Sequence, residues 1–98
     1  MAKHVADKLQ VFSLTHLLKA KGLPHLRVRS HGVLLVLESG PDHDPIAHAR
    51  FRRFGAHIWR LEVPDHTEAW QKTPLRGQIE HLLDLLVTQM PWVLAPLD

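Results

Sequence analysis

The chain has no cysteine and no tyrosine. The first absence excludes disulfides, thiolate metal sites and a cysteine nucleophile. The second removes one common general acid. Long apolar runs are also missing. The longest, Val33 to Leu37, is strand-length and far short of the roughly 20 apolar residues of a membrane span. The opening stretch MAKHVADKLQ lacks the apolar core of a signal peptide. The expected location is the cytoplasm, with no membrane partner. There is no Gly-rich phosphate loop, no HExxH spacing, no Ser-His-Asp order and no close carboxylate pair. The expectation is a binding domain without a cofactor, more readily than an enzyme.

What is present fits one globular domain spanning residues 1–98. Apolar residues make up 45% of the chain and charged residues 22%, an ordinary balance for a folded protein. A chain of this size buries somewhat over about 60% of its extended surface, enough for a modest single core. The net charge of +2 hides an uneven distribution. Arg50, Arg52, Arg53 and Arg60 occur with no acid among them, while Asp42, Asp44, Asp65, Glu68, Glu80 and Asp84 sit in loops and on the last helix. Nine histidines make the charge rise on mild acidification.

Periodicity gives the order of elements. Val5 to Ala20 reads as a helix with two apolar stripes, Val5-Leu9-Phe12 and Val11-Leu14-Leu18, closed by Gly22. Leu26 to Arg29 and Val33 to Glu38 read as two strands around a Ser30-His31-Gly32 turn. The second is apolar to Leu37, which predicts cover on both faces. Ile46 to Phe51 and Trp59 to Val63 alternate with period two and meet at a hairpin turn near Gly55. Glu68 to Lys72 reads as a further short strand, Thr73-Pro74 as a helix cap and first turn, with Gly77 allowing the regular helix to begin only near Gln78, and Ile79 to Met90 as an amphipathic helix ended by Pro91. Residues 91–98 read as an apolar, extended tail that packs back on the body. The class is α+β: an antiparallel four- or five-stranded meander flanked by an N-terminal and a C-terminal helix, in the order α-β-β-β-β-(β)-α.

With Ala47, Ala49, Phe51, Trp59 and Leu61 inward, the outward set is His48, Arg50, Arg52 and Arg60, joined by Arg27 and Arg29. A cationic sheet face can neutralise phosphates, so nucleic acid is the leading partner. The competing outcome is a solvated face whose arginines pair with Glu38 and Glu62. The pattern places no aromatic residue for base stacking. A second partner class is protein, including self-association through the first helix, Leu85 and Trp92. Leu85 lies off the main apolar stripe of the last helix.

Two Pro-Asp-His loops flank the hairpin. Hairpin geometry sends Asp42, His43, Asp44, Asp65 and His66 to the sheet end remote from Gly55. Carboxylate and imidazole are ligands for a divalent ion; a solvated acidic rim is the blander outcome. Finally, Gly55-Ala56-His57-Ile58-Trp59, then Val63-Pro64-Asp65-His66, then Gly77-Gln78-Ile79 before an amphipathic helix, resembles the second half of HicA-type toxins. The resemblance implies RNA cleavage on a double-stranded-RNA-binding-domain fold, with His57 catalytic. Ala56 stands where that family has serine or threonine, and this chain adds two strands after its first helix.

Overall fold

The structure is a computed structural model that describes residues 5–65, 67 and 69–96. Its elements run α1 (Lys8–Ala20), β1 (Arg27–His31), β2 (Leu34–Ser39), β3 (Ile46–Arg53), β4 (Trp59–Pro64), β5 (Trp70–Gly77), α2 (Ile79–Gln89) and a 3-10 turn (Pro91–Leu94). The strands form one antiparallel sheet in sequence order, β1-β2-β3-β4-β5. This is the α+β meander expected from the sequence, with five strands. Among the described residues no helix is long and apolar enough to cross a membrane.

Both helices cover the same face of the sheet. Leu14 and Leu18 of α1, and Leu82, Leu83 and Leu86 of α2, share a buried cluster with Leu35, Leu37, Ala49, Phe51, Trp59 and Leu61. These strand residues are alternate positions, so one sheet face supplies half the core and the other stays open. Trp59 is 3% exposed, and the Arg53 guanidinium lies 5.4 Å from its ring centroid. An ion pair between Lys21 and Asp84 joins the two helices.

Local chemistry sets the helix ends. The Asp7 side chain accepts from Gln10 N–H at 3.0 Å, and the Gln10 side chain accepts from Asp7 N–H at 2.9 Å. This reciprocal cap starts α1 at Lys8, three residues later than the expected Val5. Ahead of it, Ala6 N–H donates to the Gly32 carbonyl, so the chain there joins the β1–β2 turn. At the other end Leu23 N–H returns to Leu18 O and Gly22 N–H to Lys19 O, with Gly22 at φ +75. That is the left-handed closure Gly22 predicts.

Two expectations are corrected. Thr73 and Pro74 do not begin a helix; they lie inside β5. Because β5 is an edge strand, proline's missing N–H breaks no ladder bond there. The Thr73 hydroxyl donates to Leu61 O at 2.8 Å and accepts from Leu75 N–H at 3.1 Å, holding an irregular stretch of the β4–β5 pairing. Glu68, expected to open this strand, lies outside the described residues. The C-terminal segment is not extended either. Pro91–Leu94 forms a 3-10 turn that buries Leu94. His48 Nδ1 binds Val93 O at 2.9 Å, and His25 Nε2 binds Leu94 O at 2.7 Å, so two imidazoles fasten this turn to β3 and to the α1–β1 connection. The tail does pack back, as expected, but as a turn; Leu97 and Asp98 lie outside the described residues.

Replacing Trp59 with alanine is expected to cost about 3–5 kcal/mol, the range for emptying a large buried aromatic site. Urea unfolding of Trp59→Ala checks this; an unchanged midpoint would contradict the burial of its side chain.

Candidate nucleic-acid interface

The open face of the sheet is organised in rows set by strand register. In one row His31 pairs Leu34, Leu34 pairs Arg52, Arg52 pairs Arg60 and Arg60 pairs Arg76. In the next, Arg29 pairs Val36, Val36 pairs Arg50, Arg50 pairs Glu62 and Glu62 pairs Lys72. Arg27 lies opposite Glu38 in a third. Partners across an antiparallel ladder point to the same side. Arg27, Arg29, Arg50, Arg52, Arg60, Lys72 and Arg76 therefore share this face with two carboxylates, Glu38 and Glu62.

Each carboxylate is gripped by an arginine pair from a neighbouring strand. Glu62, 1% exposed, accepts from Arg50 Nε at 2.6 Å and Arg52 Nε at 3.0 Å. Glu38, 4% exposed, accepts from Arg29 Nε at 3.0 Å and lies 3.4 Å from Arg27 Nε. The pairing expected of a merely solvated face is thus real. It engages the Nε edge of Arg29, Arg50 and Arg52 and leaves their terminal nitrogens without a protein acceptor among the described residues. Val36, on the same face, is buried between Arg29 and Arg50 in register. The cover expected on both sides of β2 is therefore supplied here by side chains, with no second layer.

Burial alone would raise the Glu62 pKa. The hydrogen bonds and charges of Arg52 and Arg50 together outweigh it and hold the carboxyl below the usual glutamate range. Arg60 and Arg76 are different. Among the described residues neither has a carboxylate within ion-pair reach; both lie over the Phe54 ring, at 4.5 and 5.9 Å from its centroid. Arg50 in turn lies 4.3 Å from the Trp70 centroid.

His48 is a correction. Simple alternation puts it outward, but the β2–β3 register shifts between Leu37 and Glu38, leaving His48 as the extra residue of a bulge. A bulge re-aims the side chain it carries. His48 is buried on the helix side, where Nε2 meets Ser39 Oγ at 2.7 Å and Nδ1 meets the Val93 carbonyl. It belongs to the fastening of the C-terminal turn. Arg27, Arg29, Arg50, Arg52 and Arg60 share the open face as expected.

Phe54, Trp70, Lys72 and Arg76 were missed. Trp70 and Lys72, two residues apart in the expected strand, share a face and were a usable signal, but Thr73-Pro74 disguised the rest of β5. Phe54, in the turn, follows no period. The sequence therefore hid Phe54, while Trp70 lay in an expected strand whose face was not assigned.

Asp42, His43, Asp44 and Asp65 lie at the sheet end remote from Gly55, as hairpin geometry requires. The described side chains of the two Pro-Asp-His loops do not converge. Asp42 turns to Arg27 at 3.6 Å, and His43 and Asp44 are exposed. Asp65 accepts from Thr67 N–H, Thr67 Oγ1, Ala69 N–H and Gln71 Nε2, all between 2.6 and 3.1 Å. The Thr67 hydroxyl leads the bonds that lower its pKa. This carboxylate organises its own turn. His66 lies outside the described residues, and no cluster of three metal-ligating side chains occurs among the described ones.

His57 is exposed on the β3–β4 turn. It borders a cleft of about 500 Å³ between the N-terminal ends of α1 and α2, with Ser13, Gln78 and Glu80. Compared with known proteins, the chain matches no family model, no curated protein and no solved structure. The resemblance to HicA-type toxins is thus carried by no family match.

Replacing Glu62 with glutamine leaves two half-buried guanidinium groups without their counter-charge. The expected loss is about 2–3 kcal/mol at neutral pH, the scale of hydrogen bonds to a charged group. A lowered folded-state pKa stabilises fully above the unfolded value of about 4.3 and fades as pH falls through the folded one. The gap between wild type and Glu62→Gln should therefore close in acid. Unfolding midpoints at neutral pH and near pH ~3 check this; a gap independent of pH would refute the ionised clamp.

Proposed function

We propose that this protein binds nucleic acid through the open face of its sheet. The observation that carries this reading is the Arg52–Arg60–Arg76 row. Like charges directly opposite on neighbouring strands destabilise a sheet. Here three occupy adjacent strands, and only Arg52 has a carboxylate among the described residues. Such a row suits an external polyanion, which would relieve the repulsion and release counterions. Glu62 and Glu38 support the reading as positioning groups: they hold Arg29, Arg50 and Arg52 through Nε, which leaves the terminal nitrogens of these three without a protein acceptor among the described residues and able to meet phosphate oxygens. Such a partner is met in the cytoplasm, the expected location.

Self-association is the second reading, and α1 supplies its observation. Leu9 is 77% and Phe12 64% exposed, and Trp92 is exposed on the 3-10 turn. Exposed apolar residues of this size on one helix mark contact surfaces. Leu85, expected to join them, instead packs against the core. Association of this kind would resist salt, whereas phosphate binding would not.

Arg60→Ala and Arg76→Ala are each expected to weaken binding to oligonucleotides of every sequence alike. Each should reduce the slope of log affinity against log salt by roughly one. Fluorescence anisotropy over a salt series reads both effects. No affinity of the wild-type protein for DNA or RNA at low salt would retire the proposal.

A further inference from the structure

We infer that the nucleic acid taken by this face is single-stranded, with a base stacked on Phe54; the inference rests on the binding face proposed above. Size argues first. Five strands spaced about 4.8 Å apart make a sheet about 19 Å across. The major groove of B-DNA is about 12 Å wide and admits a helix or a two-stranded ribbon, and that of A-form RNA is closed to side chains. This sheet cannot enter either groove, and both helices lie on its other side. A duplex could meet it through its outer phosphates or a shallow minor groove, but its stacked bases would offer no open π-face to an exposed ring. A single strand can lie along the surface.

The placement of aromatic rings argues second. Phe54 is 47% exposed at the turn end of the open face, beside the guanidinium groups of Arg60 and Arg76. Trp70 lies on the same face at the opposite end, beside Arg50. From the row of Arg60 to the row of Trp70 is four residues along β4, about 13 Å. Cations between two rings offer phosphate contacts in the middle and stacking at the ends. An exposed phenyl ring already backed by guanidinium groups makes a sequence-tolerant platform, because every base has a π-face. Neither contact reads the sugar, so RNA and DNA single strands should bind alike.

Anisotropy with labelled oligo(U), oligo(dT) and a mixed-sequence duplex of equal length, using the full chain, tests the inference. Both single strands should bind at least about tenfold more tightly than the duplex, and within a few-fold of each other. Phe54→Leu keeps an apolar side chain in an exposed turn, so the fold should survive. It should weaken single-strand binding about tenfold while leaving the salt slope unchanged, because no phosphate contact is lost. A duplex bound as tightly as the single strands overturns the inference. So does a silent Phe54→Leu beside a damaging Arg76→Ala, an outcome that leaves the phosphate-binding face standing. A Phe54→Leu loss accompanied by a reduced salt slope also overturns it, showing that the ring only positions the arginines. No binding of any probe removes the inference and the binding face together.

Discussion

Glu62 sits at the centre of a sheet face that carries seven basic side chains, and almost none of its surface reaches water. A buried carboxylate is costly unless its charge is matched and its oxygens are bonded. Arg50 and Arg52 meet both conditions from the neighbouring strand, at positions two residues apart on one face. The dependence runs both ways. Without Glu62, those two guanidinium groups, in adjacent rows, would face Arg60 and Lys72 with no counter-charge. The same arrangement recurs with Glu38, Arg27 and Arg29 at the other side of the sheet. The open face is thus cationic yet held in place, a combination that loose surface lysines would not provide.

The two faces follow different rules. On the helix side, apolar residues of the strands and helices close into one core, and polar groups there are bonded: His48 to Ser39 and to the Val93 carbonyl, His25 to the Leu94 carbonyl. On the open side, charge balance replaces apolar burial. Where that balance stops, at Arg60 and Arg76, the only protein partner found among the described residues is an aromatic ring. The anionic ligand proposed above would supply the counter-charge that this row lacks.

Much of this was legible in the sequence wherever a period ran unbroken. Ala49 and Phe51 against Arg50 and Arg52, and Trp59 and Leu61 against Arg60 and Glu62, gave the hairpin and its two faces. Gly22 marked the end of α1 by conformational need. Legibility failed where the period was interrupted. A bulge beside Glu38 reversed His48, and nothing in Ile46-Ala47-His48-Ala49 announces an extra residue. Thr73-Pro74 has the composition of a helix start, and only the edge position of β5 lets proline sit in a strand. The candidate site suffered most, since Arg76 lies beyond Thr73-Pro74 and Phe54 lies in the turn, where no period runs.

The proposal that the open sheet face is the binding surface is tested directly by following Arg Nε–Hε and backbone amide resonances during titration with a single-stranded oligonucleotide. The account predicts shifts at Arg50, Arg52, Arg60 and Arg76 and along β3 to β5, with α1 silent. Shifts concentrated on Leu9, Phe12 and the rest of α1, or none at all, would contradict it.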